Sequence, residues 1–154
     1  MSGHESLCSL CPRKCNIDRA SGKIGFCKSG SEMKIARAAL HYGEEPVISG
    51  PVRPALSEQS LLYKHKLKTV TRLKGDKSVL FKGSGTVFFT GCSLCCVYCQ
   101  NYKICSNAQT GRIVTVDELG NIFDMLISQG AANSNLFNPT HFLDKLASTL
   151  KKKK

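Results

Sequence analysis

The chain has 154 residues, 42% of them hydrophobic, with 22 Lys and Arg against 11 Asp and Glu, a net charge of +11 and nine cysteines. That apolar content supports a packed core and argues against wholesale disorder, and the length suits one domain plus a small module. No run nears the roughly 20 apolar residues that span a bilayer, and Met1–Glu5 lacks the basic and apolar regions of a signal peptide, so a cytoplasmic location and no membrane partner are expected.

Taken in chain order, the first feature is Cys8, Cys11, Cys15 and Cys27. Without an export signal a disulfide framework is disfavoured, because cytosolic thiols stay reduced, and metal ligation is the natural alternative. A segment with so little apolar content needs a staple. Zinc or a second iron–sulfur cluster would serve, and Arg13, Lys14, Arg19, Lys23 and Lys28 would offset the charge of four thiolates. Purely structural ligation, or free thiols, is a simpler reading than an electron relay.

Lys34–His41 reads as a short strand with loose alternation, and Gly43–Pro54, with three prolines, as loop. Residues 55–80 hold no period. Within them Lys64–Lys77 is strongly basic, and the chain ends in Lys151–Lys154; both tracts read as solvated segments, the second as a frayed tail. Aromatic residues make up 7% and do not interleave with the basic ones, so stacking on nucleic acid is not expected.

Gly83-Ser84-Gly85 reads as a turn. Thr86–Thr90 is a strand-forming run, apolar at its centre, as a strand buried on both faces should be. A cysteine-rich loop follows. Thr115 and Glu118 match a capping box opening a helix, with Leu119, Ile122, Phe123, Leu126 and Ile127 as its apolar stripe, Gly120 at an exposed position and Gly130 as the left-handed terminator. Ser134–Phe137 is a second strand, Asn138-Pro139-Thr140 breaks it, and His141–Leu150 begins another helix. Strand, loop, helix and strand make one βαβ unit with parallel strands.

In the loop Gly91-Cys92-Ser93-Leu94-Cys95-Cys96-Val97-Tyr98-Cys99, the residues Cys92, Cys96 and Cys99 are spaced C-x3-C-x2-C. Thiolates are the usual ligands of iron–sulfur clusters. One compact loop can reach three corners of a cubane, leaving the fourth iron open for a substrate or cofactor. Cys92, Cys95, Cys96 and Cys99 also parse as two abutting C-x2-C pairs for zinc, although abutting pairs leave little chain to shape a tetrahedron. Cys95 and Cys105 read as bystander thiols, and Tyr98 as either a packing residue or a cofactor contact.

This segment resembles the radical SAM signature. Its flanks Gly-Ser-Gly-Thr-Val-Phe-Phe-Thr-Gly-Cys and Cys-Gln-Asn-Tyr, the N-terminal Cys-Ser-Leu-Cys-Pro-Arg-Lys-Cys and Gly-Phe-Cys, then His-Tyr-Gly-Glu-Glu-Pro and Asn-Pro-Thr-His-Phe, are similar to the pyruvate formate-lyase activating enzyme-like branch. The resemblance implies an α/β fold, the N-terminal part of a radical SAM partial (β/α) barrel preceded by a small cysteine-rich module. It implies a [4Fe-4S] cluster on Cys92, Cys96 and Cys99, S-adenosylmethionine as cofactor, a one-electron reductant and a protein substrate bearing a glycyl site. The Tyr98 backbone would lie near the adenine, and Asn138, Pro139, Thr140 and His141 near the methionyl group.

The resulting division is a cysteine-rich module over residues 1–50, a basic insertion or linker over 51–82, and over 83–154 the first βα unit and the start of the second. The family barrel holds several further units, so turnover by this chain alone is not expected. The alternative is a non-catalytic zinc module whose basic surface meets an RNA or protein partner.

Overall fold

The computed structural model describes residues 7–42, 48, 83–107 and 110–153. Its elements are β1 (Lys34–His41), β2 (Ser84–Phe89), α1 (Tyr102–Cys105), β3 (Arg112–Ile113), α2 (Val116–Ser128), β4 (Asn133–Phe137) and α3 (Leu143–Lys152), with a 3-10 turn at Thr140–Phe142. They form a mixed α/β fold around a four-stranded sheet of order β3-β1-β2-β4.

Every residue of β2 is buried, as its unbroken apolar centre demands. β2 pairs with β4 in parallel, from Ser84 opposite Asn133 to Phe88 opposite Phe137, as a βαβ unit requires. Its other edge pairs antiparallel with β1, from Ile35 opposite Phe89 to His41 opposite Ser84, with an irregularity between Ile35 and Arg37. β1 therefore shares the sheet of the later segment, and Met33 and Ile35 enter the same core as Val87, Phe89, Leu119, Leu126 and Phe142. On Phe88, the Phe137 ring stacks at 4.7 Å between centroids.

α2 begins and ends as its sequence dictates. Thr115 Oγ1 accepts from the Glu118 amide at 3.1 Å, and Glu118 accepts from the Thr115 amide at 2.7 Å. At its end Ala131 N–H donates to Leu126 O and Gly130 N–H to Ile127 O, with Gly130 at φ 95°, a full Schellman closure. Leu119, Ile122, Phe123 and Leu126 are buried.

Several sequence expectations are corrected. Ser84 and Gly85 belong to β2 and not to a turn: a Cβ on Gly85 would stand 3.0 Å from both Ala131 Cβ and Asn133 O, so its glycine serves close packing. Gly120 is buried, against Thr149 and Lys153 of the chain's end. Ile127 is 62% exposed and leaves the stripe, since at about 100° per residue it falls about 40° past Phe123, outside the arc that Leu119, Ile122, Phe123 and Leu126 bury. α1 and β3 fall where only loop was expected. As far as Lys153 the lysine tail is not frayed: Lys151 and Lys152 are the last turn of α3, and Lys152 and Lys153 pair with Asp117 and Asp124 of α2, while Lys154 lies outside the described residues. The Lys64–Lys77 tract and most of the Gly43–Pro54 loop lie outside the described residues, and no helix among those described is long and apolar enough to cross a membrane.

Candidate functional site

The central cysteine loop leaves the C-terminal end of β2, where the backbone is held from three sides. Thr90 N–H donates to Lys34 O at 3.1 Å, Gly91 N–H to Ile104 O at 3.1 Å, and Cys92 N–H to Cys27 O at 3.1 Å. Gly91, at φ 79°, passes so close to the N-terminal segment that a Cβ would lie 2.3 Å from Cys27 O and 2.5 Å from Ser29 Oγ. The two cysteine groups, far apart in sequence, thus meet at Cys27 and Cys92. Arg13 adds a bond from Nε to Ser93 O at 3.0 Å while lying over the Phe26 ring.

Beyond Cys92 the loop turns outward. Cys95 takes a left-handed conformation at φ 52° and Cys96 is exposed, as are Val97 and Tyr98, at 91% and 97%. The chain then returns through Cys99, half-buried, whose carbonyl accepts from Tyr102 N–H to start α1. That helix delivers Cys105, 4% exposed, back to the inner side of the loop. Burial, with the Cys99 thiol alongside and Cys92 nearby, pushes the Cys105 thiol up to about 12, against an opposing bond from Asn138.

The Asn138–His141 turn leaves the end of β4 beside this loop. Asn138, left-handed at φ 58°, places its carboxamide between two sulfurs: Cys92 Sγ donates to Oδ1 at 3.7 Å, and Nδ2 donates to Cys105 Sγ at 2.9 Å. Pro139 O accepts from Phe142 N–H at 2.8 Å, and Thr140 opens the 3-10 turn. His141 is 1% exposed, and its Nε2 meets Thr90 O at 2.8 Å. A carbonyl only accepts, so Nε2 carries the hydrogen and Nδ1 is a bare acceptor, buried without a partner among the described residues. Burial holds His141 below the ordinary imidazole range; the Thr90 bond opposes this and the Arg19 charge adds to it. Arg19 closes the junction, donating to His141 O at 2.7 Å and to Cys27 Sγ at 3.2 Å.

The chain matches no protein-family model, no curated protein and no solved structure.

Of the four thiols on this short loop, the three of Cys92, Cys96 and Cys99 have a donor chemistry that suits a soft metal or a cluster. Among the described residues, however, no three Cys, His, Asp or Glu side chains stand close enough to hold a metal ion. Cys92 is buried, Cys99 half-buried and Cys96 exposed. Ligation by these three therefore needs their side chains brought closer together than they stand here, and Leu94 and Val97 beside Cys96 are largely exposed. In the N-terminal segment Cys8, Cys11 and Cys27 are buried and Cys15 partly so. The sulfurs of Cys15 and Cys27 both lie within 3.8 Å of the point a Gly25 Cβ would occupy.

Sequence reasoning set Cys105 aside and used Arg19 only as a counter-charge. No spacing pattern links Cys105 to Cys92, because α1 and the sheet, and not the loop, bring it there. Tyr98 is turned to the surface, and His141 faces the strand end through its bond to Thr90 O.

Proposed function

We propose that the central loop holds a [4Fe-4S] cluster on Cys92, Cys96 and Cys99, and that the chain is a radical-SAM-type protein of the cytoplasm, where thiols remain reduced. One observation carries this reading: the cysteine loop follows the C-terminal end of β2, and the Asn138–His141 turn follows the C-terminal end of its parallel neighbour β4. In parallel βα architectures, that is the end at which ligands bind.

Cys92, Cys96 and Cys99 would hold the cluster, and the bound group would supply the single electron, drawn from an external reductant, that cleaves S-adenosylmethionine to methionine and a 5′-deoxyadenosyl radical able to take hydrogen from a protein glycyl site. The chain's own residues would set the scene for it. Cys92 is anchored through its amide, whereas Cys96 and Cys99 ride on the outer turn. Tyr98 is presented on that same turn, free to meet a nucleobase. His141 and Arg19 brace the strand end and the N-terminal segment from behind. β4 forms one edge of the described sheet, and a closed barrel needs further strands beyond it.

Anaerobic reconstitution of the full chain with iron and sulfide tests the proposal. A brown, reducible cubane is expected, lost in Cys92→Ala, Cys96→Ala and Cys99→Ala and kept in Cys95→Ala. Addition of S-adenosylmethionine should alter its spectrum, with little or no 5′-deoxyadenosine formed. Zinc in the central site without labile sulfide would refute it.

A second reading applies to the N-terminal segment. Lys14, Asn16 and Lys28 are left-handed and turn the chain beside Cys15 and Cys27, while Cys8, Cys11 and Cys27 are buried. Four thiols on a short segment with little apolar core of its own suit a structural metal, zinc or a second iron–sulfur cluster, on Cys8, Cys11, Cys15 and Cys27, whose sulfurs binding would have to draw together. Metal analysis of a protein lacking the central three cysteines separates this site from the other: retained zinc supports it, and none removes it.

A further inference from the structure

Cys92 and Cys105 are both buried, and the Asn138 carboxamide spans them: Oδ1 receives the Cys92 thiol, and Nδ2 donates to Cys105. Cys105 is brought to this place by α1, whose start is bonded to Cys99 O and whose Ile104 O holds the Gly91 amide at the root of the loop. A carboxamide accepts at one end and donates at the other. A half-turn about its last bond would present N–H to Cys92 and the oxygen to the Cys105 thiol. The same three groups can therefore satisfy Cys92 both as a thiol and as a ligating sulfur.

We propose that Asn138 and Cys105 are positioning residues for the Cys92 sulfur, Asn138 holding Cys92 through its carboxamide and Cys105 holding that carboxamide. The proposal rests on the reading of Cys92 as a cluster ligand. Outer partners of this kind orient ligands and change metal affinity about 10- to 100-fold when removed. Hydrogen bonds to ligating sulfurs also draw off negative charge, which favours the reduced cluster.

The left-handed backbone at Asn138 dictates the variants. Asn138→Gly removes the carboxamide at a position where glycine carries no steric cost. Asn138→Asp keeps the size but replaces the donor with a carboxylate. Cys105→Ala removes the outer hold and Cys105→Ser restores a hydroxyl in its place.

The full chain is reconstituted without oxygen using iron and sulfide. Cluster midpoint potential is then read by a redox titration followed by electron paramagnetic resonance, and cluster loss by challenge with a chelator. In parallel, the metal-free protein is alkylated with iodoacetamide and the labelled cysteines are located by mass spectrometry. Asn138→Gly and Asn138→Asp should shift the potential to more negative values and lose the cluster about tenfold faster or more. Cys105→Ala should move both readouts in the same direction, and Cys105→Ser should return them toward the parent. In the metal-free protein Asn138→Gly should open Cys92 and Cys105 to alkylation while leaving Cys96 labelling as it was. A parent-like potential and cluster lifetime in Asn138→Gly overturn the proposal. If the parent protein takes up no cluster, the ligand reading fails and the alkylation pattern decides alone: unchanged labelling of Cys92 and Cys105 then overturns the positioning role as well.

Discussion

At Gly91 two requirements coincide, a φ of 79° and a Cys27 carbonyl 2.3 Å from where a side chain would begin. An alanine there meets left-handed strain of about 1 kcal/mol and must also push back rigid backbone. Gly91→Ala should therefore lower unfolding stability in urea by about 2 kcal/mol or more, and parent-like stability would show that the two cysteine segments do not touch at this point. His141 argues through charge. Its imidazole is buried neutral, with an affinity for protons below that of the unfolded chain. Unfolding takes up a proton once the pH falls below the ordinary imidazole value of about 6.5, so stability should decline from there downward until the folded state also titrates. Above that pH His141 contributes no slope. Comparing pH–stability curves of the parent and His141→Gln checks this, the variant being expected to lack the part of the decline that begins near the ordinary imidazole value while keeping the carboxylate part at lower pH. Both residues stand in recognisable motifs, yet their partners, Cys27 and Thr90, come from other segments and leave no trace in local sequence.

The elements differ in how far their own sequence explains them. α2 carries its start and stop signals in itself, because capping and Schellman closure use only groups within a few residues. Thr115→Ala should destabilise the protein by about 1 kcal/mol, measured by thermal or denaturant unfolding, while Thr115→Ser should be close to neutral. The bonds from Thr115 hold the Glu118 carboxyl below the usual carboxylate range, with Arg112 adding to this. The contribution of Glu118 is therefore present above the ordinary carboxylate pKa and is lost as pH falls through its lowered folded value. Gly120 is the exception inside this helix. Its face meets α3 and the far end of the Lys153 side chain, which pairs with Asp124, and not solvent. Since a flexible side chain can move aside, Gly120→Ala should stabilise by up to about 1 kcal/mol through helix propensity; a loss of stability would show that α3 packs more tightly on α2 than Thr149 and Lys153 indicate. The two-residue strand β3 and the single turn α1 are too short to leave a periodic signal, and exist because β1 and the loop root supply their bonds.

Across the whole molecule, Arg19 links the N-terminal segment, Cys27 and the turn after β4. Replacing it leaves a half-buried carbonyl without its donor, which costs about 1–3 kcal/mol. Arg19→Ala should also speed hydrogen exchange at the Cys92 amide, whose bond to Cys27 O depends on the same junction; unchanged protection there would separate the two contacts. The surface pairs Lys152–Asp117 and Lys153–Asp124 are exposed and should matter little individually. Sequence alone determined β1, the core of β2, the parallel β4, both ends of α2 and the grouping of cysteines, because each depends on periodicity, capping or spacing among near neighbours. Only the tertiary structure decided that β1 pairs with β2, that Gly85 and Gly120 are buried, that Cys27 abuts Cys92, and that Asn138 bridges Cys92 and Cys105. Those contacts join residues tens of positions apart, and their partners are chosen by how the sheet and helices pack, which no local pattern encodes.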